Sequence, residues 1–280
     1  MTISTDYTVD ELMSVCIARQ IINGETVVQG IATPLVMAGV ILAKLTHAPD
    51  SWLASAVGGT VCRDWAPLGL ATIEQPWLDH GLALMTFTQI ACEFLPRFQP
   101  KEFLRPAQVD QRGNFNNVVI GADRARPQMR LPGSGGIPDV TLYNRRTMLY
   151  VPRHSRAVFV DKVDFISGLG HTPDRISGAG PQYCVTNLGQ FDWANGRMRL
   201  IEFHPGQSPE SIQVKTGFPL DVAPDVHETP LPTVEEIALL RETIDPLGVR
   251  KLETLSGGAR KELIREILRR EVSRPAQATG

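Results

Sequence analysis

Cysteine is scarce. The chain has four in 280 residues (Cys16, Cys62, Cys92 and Cys184), widely spaced and with no C-x-x-C pair. That spacing argues against a disulfide framework and gives a zinc site no support. No apolar run reaches the roughly 18 residues a membrane helix needs. The N-terminus, MTISTDYTVDEL, lacks a basic segment leading into an apolar core, so no secretory signal is expected. Neither sign of charge dominates: the net charge is -2, and nothing suggests nucleic acid or an anionic membrane as partner. The six histidines (His47, His80, His154, His171, His204, His227) are scattered, none at metal-ligand spacing, and no metal is expected. There is no P-loop, no nucleophile elbow and no G-x-G-x-x-G opening a helix. What remains is an ordinary globular composition, 42% hydrophobic and 21% charged, on a chain long enough for one large α/β domain or two small ones. The expected compartment is the cytosol.

Thr8-Val9-Asp10-Glu11 reads as a capping box. Apolar residues follow at near-helical spacing (Leu12, Val15, Cys16, Ile22), and Asn23-Gly24 is the expected stop. A short strand is expected over Thr26 to Gln29. Thr33 and Pro34 then open a second helix whose body, Leu35 to Leu45, is apolar nearly all round and so reads as buried. Ser51 to Ala56 reads as the next strand. Helix, strand, helix, strand in this order implies a parallel sheet with crossover connections. Further on, a helix is expected over Leu82 to Phe94 and an extended piece over Phe103 to Val109. Short strands are expected over Val118 to Ile120, Met148 to Val151, Lys162 to Ile166, Cys184 to Asn187 and Arg199 to Phe203. Pro209 to Thr216 reads as a short helix, and Asp221 to Pro232 as Pro-rich and extended. Thr233-Val234-Glu235-Glu236 is a second capping box, opening a helix that ends near Ile244. A charged amphipathic helix is expected over roughly Ala259 to Glu271.

Two segments, a group of arginines and one histidine can carry chemistry. Leu131-Pro132-Gly133-Ser134-Gly135-Gly136-Ile137-Pro138-Asp139 lets the backbone turn tightly, so that successive N–H groups can face an anion or a developing oxyanion. A strand-to-helix turn without a ligand explains it equally well. Gln108 to Asn117 is rich in Asn and Gly. Its amides can donate to a carbonyl, or they can simply shape a β-turn. Arg112, Arg124, Arg126 and Arg130 can meet phosphates or a carboxylate, or lie on a solvated loop. His171, in a glycine-flanked loop, can line a cleft or sit on the surface.

Taken in order, several pieces resemble the β subunit of family I CoA-transferases of the glutaconate type. They are His47-Ala48-Pro49-Asp50, Gln108-Val109-Asp110 with Gly113-Asn114 and Asn116, Gly133-Ser134-Gly135-Gly136 with Asp139, and Phe159 to Phe165. Thr186-Asn187-Leu188-Gly189, His204-Pro205-Gly206, Thr216-Gly217-Phe218 and Ile244-Asp245-Pro246-Leu247-Gly248 continue the set. The likeness runs to about Val249, so residues 1–249 are expected to form the CoA-transferase-like domain and 250–280 a charged helical tail. The resemblance implies a three-layer α/β/α fold with a mostly parallel sheet, and an active site shared with an α subunit as a heterodimer or α2β2 assembly. It implies no cofactor beyond the CoA of the substrate itself.

In the transferases that this chain resembles, a glutamate just after the Ala-Pro-Asp element attacks the thioester, and covalent catalysis of that kind cannot run without it. Here that position falls on Ala56. No acidic residue lies between Asp50 and Asp64, and no nearby residue is expected to replace it. One branch of the family also lacks the glutamate: a hydrolase of bacterial steroid catabolism that opens the ring of a cyclohexenone-carboxyl-CoA. The similarity implies a general base on the α subunit, room for ring or water at Ala56, Val57 and Gly58, and contacts to the thioester or CoA from Asn114, Asn116, Gly133, Ser134, Gly135 and Gly136. A genuine CoA-transferase and a non-catalytic partner subunit are the alternatives.

Overall fold

The computed structural model describes residues 2–30, 33–56, 58–121 and 123–273. The chain forms two compact units, residues 1–85 with 231–280, and residues 86–230.

The first unit begins with α1 (Val9–Arg19). The Glu11 carboxylate accepts the Thr8 backbone N–H at 2.8 Å, which is the carboxylate half of the expected capping box. The helix stops before the expected Asn23-Gly24, with Gln20 as its C-cap. β1 (Thr26–Gln29), α2 (Pro34–Thr46) and β2 (Trp52–Ser55) follow. β1 and β2 pair in parallel, Thr26 opposite Trp52 through Gln29 opposite Ser55, as the helix–strand alternation implies. Ten consecutive residues of α2, Pro34 to Ala43, are buried, which explains its lack of a polar face. Gly39 lets α2 lie close against α1: a methyl there would sit 2.5 Å from the Ser14 carbonyl oxygen. β3 (Thr60–Cys62), α3 (Gln75–His80) and β4 (Ala83–Leu84) complete this stretch. β3 pairs antiparallel with β2, and β4 antiparallel with β3.

The second unit starts at α4 (Phe87–Gln89), which runs through a π-helical turn (Ile90–Phe94) into α5 (Leu95–Phe98). The helix expected over Leu82 to Phe94 is therefore displaced. Ala83 and Leu84 are in a strand, and Thr86 caps the helix by accepting the Gln89 N–H. β5 (Lys101–Leu104), β6 (Gln108–Val109), β7 (Phe115–Asn116), β8 (Val119–Ile120) and β9 (Met129–Arg130) lead to α6 (Ile137–Tyr143). Then come β10 (Thr147–Val151), β11 (Tyr183–Thr186), β12 (Gly189–Ala194), β13 (Arg197–Phe203), α7 (Pro209–Lys215) and β14 (Asp221–Glu228). The sheet of this unit runs β14-β13-β12-β11-β10-β5. β5, β10 and β11 are mutually parallel, β12 is antiparallel to both neighbours, and β13 and β14 are parallel. Lys162 to Ile166 is not a strand. The chain there is irregular, and single bridges flank it, Phe159 with Val109 of β6 and Gly168 with Phe115 of β7. Phe115, Phe159, Phe191, Leu149 and Met198 form the centre of the core.

The chain then returns to the first unit. α8 (Val234–Ala238) is capped as expected, Thr233 accepting the Glu236 N–H while Glu236 accepts the Thr233 N–H. A π-helical turn (Leu239–Ile244) and a 3-10 turn (Val249–Glu253) precede α9 (Gly257–Val272). Among the described residues, no helix is long and apolar enough to cross a membrane.

Candidate functional site

In the first unit, the parallel pair β1–β2 ends at Gln29 and Ser55, and the Ala56 N–H extends the ladder to the Gln29 carbonyl at 2.9 Å. Carboxyl ends of parallel strands are where open α/β sheets bind ligands. Ala56 is half-buried there, and Val57 lies outside the described residues. Ser55 is fully buried, and its Oγ accepts the Gly58 N–H at 2.8 Å and donates to Glu74 Oε2 at 3.0 Å. Gly58 has little room for a side chain: a methyl would lie 2.9 Å from Ser55 Oγ and 3.3 Å from Glu74 Oε2.

Glu74 is a carboxylate that the sequence around Ala56 does not show, brought to the end of β2 by its bond to Ser55. It is half-buried, and no cation pairs with it among the described residues. It is remote in sequence, returned by the loop that joins β3 to α3, so scanning the residues around Ala56 misses it. Pro76 marks the start of a helix but carries no signal of where that helix docks. The loop is pinned. The Leu68 N–H donates to the Ile244 carbonyl at 2.7 Å, and the Ala71 N–H to Glu271 Oε2 of α9 at 3.0 Å. The same unit has a mostly apolar pocket lined by Met37, Leu53, Trp65, Ile73 and Trp77. Gln29 also lines it, and its Nε2 is buried with no hydrogen-bond partner among the described residues.

In the second unit, the asparagines act as braces. Asn114 Nδ2 donates to Asp110 Oδ2 at 3.0 Å, and its Oδ1 accepts the Gly170 N–H at 2.9 Å. Asp110 also accepts the N–H groups of Arg112 and Asn114, and burial still pushes its carboxyl above the ordinary range. Asn116 is completely buried. Its amide donates to Gln108 Oε1 and the Val119 carbonyl, and its oxygen accepts the Val118 N–H at 2.9 Å. These side chains hold the turn's shape.

The turn before α6 is open. Gly133 (φ +111°) and Gly135 (φ +53°) adopt backbone conformations that favour glycine, with nothing within 4 Å of where a side chain would begin. The Gly133 N–H donates to the Asn117 carbonyl, and the Ser134 carbonyl accepts the Ile137 N–H. The N–H groups of Ser134, Gly135 and Gly136 donate to no group among the described residues. Such a run can receive an anionic oxygen.

Three histidines of this unit, His154, His171 and His204, are held by structural contacts. His154 stacks on Phe159 with ring centroids 3.6 Å apart and bonds Thr186 and Thr216, and burial pulls its pKa down to about 3. His204 sits between Thr229 and the Thr186 carbonyl, lowered to about 4 for the same reason. His171 bonds the Pro181 carbonyl and stacks on Trp193. Arg124 lies over the Phe165 ring, and its carbonyl accepts Arg130 Nη2 at 3.4 Å. Among the described residues, no three His, Cys, Asp or Glu side chains are arranged to hold a metal.

Comparison with known proteins sharpens this picture. The β subunit of glutaconate CoA-transferase from Acidaminococcus fermentans is 33% identical over 267 residues, covering 86% of this chain and 94% of its own. The cholesterol ring-cleaving hydrolase IpdB subunit of Mycobacterium tuberculosis (strain H37Rv) is 30% identical over 236 residues, covering 80% of this chain and 89% of its own. The crystal structure of Rhodococcus jostii RHA1 IpdAB superposes with a TM-score of 0.76 at 25% identity, covering 90% of this chain and all of that one. The α/β fold with its mixed, largely parallel strands is thus the fold of these relatives. Residues 11–215 match the family model described as Coenzyme A transferase, and with that match the chain belongs to the coenzyme A transferase family.

Proposed function

We infer that this chain is the β subunit of a cytosolic two-subunit hydrolase that opens the ring of a cyclohexenone-carboxyl-CoA, a β-keto thioester of steroid degradation. The observation that carries the reading is Ala56 at the end of β2. A methyl group cannot attack a thioester, so the glutamyl route of a CoA-transferase is closed at that position. Ring opening needs no covalent step on this chain. Water adds to the ring ketone, the carbon–carbon bond breaks, and a thioester enolate is left. Donors for the developing oxyanions each contribute on the order of 3 kcal/mol, and the open N–H groups of Ser134, Gly135 and Gly136 are this chain's candidates. The α subunit completes the site and supplies the base that activates water. The ring-cleaving relatives support this reading, and the 33% identity to a glutaconate CoA-transferase relative favours transfer as the rival.

The test is to purify the chain with its α subunit and supply the cyclohexenone-carboxyl-CoA. Ring opening without an acceptor carboxylate is expected. Exchange of CoA onto an added acid would overturn the reading, and a complex whose activity is indifferent to every change at Ala56 and at the Gly133–Gly136 turn would make this chain a non-catalytic partner.

A further inference from the structure

We propose that Glu74 is a catalytic carboxylate of this chain, serving the bond-breaking half of the reaction. The inference rests on the hydrolase reading above and adds to it a residue and a step. Four observations converge on it. Glu74 lies beside the end of β2, bonded to the residue immediately before Ala56. Only one of its oxygens is engaged: Oε2 accepts the Ser55 hydroxyl at 3.0 Å, while Oε1 accepts nothing from the described residues. That engagement is directional. The Gly58 N–H occupies a lone pair of Ser55 Oγ at 2.8 Å, so the serine proton is turned toward Glu74 and the carboxylate is held in one orientation. The close approach at Gly58 leaves this three-residue clamp no slack, and the pinned β3–α3 loop carries Glu74 into it.

The chemistry has a task for such a group. Once the partner's base has brought water to the ring ketone, the site holds a hydrate. Glu74 takes the proton of one hydrate hydroxyl. The oxygen electron pair re-forms a carbonyl as a carboxylic acid, and the ring carbon–carbon bond breaks with its electron pair moving onto the α-carbon as a thioester enolate. Glu74, now protonated, returns that proton to the α-carbon. Atoms and charge balance, the carboxylate is regenerated, and no oxidant or metal is called for. General acid–base catalysis by a placed side chain is worth roughly 10²–10⁴-fold.

The last half-step can be watched in reverse, without ring opening. The assembled α/β complex is incubated in D2O with pimelyl-CoA, a straight-chain ω-carboxyacyl thioester of the kind that opening a six-membered ring leaves. Deuterium at the α-carbon is then followed by mass spectrometry. Wild-type complex is expected to exchange these hydrogens. Glu74→Gln is expected to slow the exchange by roughly a hundredfold or more with pimelyl-CoA affinity within about threefold, and Glu74→Asp to recover part of it. Ser55→Ala, which releases the clamp, is expected to fall between. A wild-type complex that does not exchange, or a Glu74→Gln complex that exchanges as fast as wild type, would overturn the proposal. If Glu74→Gln fails to fold, Glu74→Asp and Ser55→Ala decide it alone, and full exchange in both overturns it. Ring opening is assayed separately, so Glu74-dependent exchange in a complex that opens no ring would sink the hydrolase reading and leave this role for Glu74 standing.

Discussion

Arg250 and Glu11, 239 positions apart in sequence, meet inside the first unit with Nη2 2.7 Å from Oε1 and both side chains almost wholly buried. Arg250 Nη1 donates to Asp245 Oδ2 at 2.8 Å, and Nε lies 2.9 Å from Asp10 Oδ2, paired by charge but out of line for a hydrogen bond. Removing the guanidinium takes the cation from Asp10 and Asp245 in the interior and leaves Glu11 with Arg241 alone. Arg250→Ala is therefore expected to cost roughly 3–5 kcal/mol, read as a fall in the urea midpoint. Arg250→Lys should restore only a fraction, because an ammonium cannot fork to several carboxylates at once. An Arg250→Ala chain as stable as wild type would show that this cluster contributes nothing.

The same cluster sets a pH dependence. Burial alone would raise the Glu11 carboxyl, but Arg241, the Thr8 N–H and Arg250 outweigh it and hold Glu11 at about 2, against an ordinary value of 4.5. A lowered folded-state value means the ionised form is favoured on folding. That stabilisation is fully present above 4.5 and is lost as the pH falls toward 2. Urea titrations stepped down through this window should show a declining midpoint, and Arg241→Gln should flatten the decline. A wild-type midpoint constant through the window would be the contrary result.

Gly58→Ala tests the clamp sterically. Its methyl would sit 2.9 Å from Ser55 Oγ, too close for any settled contact. The chain is expected to fold, with the Ser55–Glu74 bond broken and kcat/KM of the α/β complex down by about 10²-fold, the scale of a 1 Å displacement in an active site. Steady-state kinetics beside a thermal melt separates this outcome from simple loss of fold.

Ala56→Glu tests the missing nucleophile. If Ala56 occupies the place where transferases keep their glutamate, the variant should form a glutamyl thioester with acyl-CoA and be inactivated by borohydride, while wild type stays resistant. Resistance in both would mean that Ala56 does not face the thioester.

Much of the fold is legible in the chain because local signals agree with it. The bounds of β1 and the start of α2 follow from Thr26 to Gln29 and from Thr33-Pro34. Three capping residues, Thr8, Thr86 and Thr233, sit at real helix starts, yet the apolar run from Leu82 hides Thr86. β12 escapes sequence reading because Asp192 and Trp193 face partial solvent and lack the β-branched run that marks a buried strand. Lys162 to Ile166 misleads for the opposite reason: Val163 is buried and the segment reads as apolar, but its backbone binds side chains such as Gln108 instead of a ladder. Ala56 after β2 and the open turn at Gly133 and Gly135 are legible because each is a local feature of the chain. Glu74 is not, since nothing in Glu74-Gln75-Pro76 records that Ser55 will be its neighbour.

The Glu271 carboxylate accepts the N–H groups of Leu70 and Ala71, so a side chain from the last helix sits at the root of the segment that bears Glu74. The C-terminal helix, with its charged exposed face, is thus a buttress for the loop that carries Glu74. Shortening the chain by its final helix would take away the one carboxylate that ties both of these N–H groups, and with it an anchor of the stretch leading to Glu74.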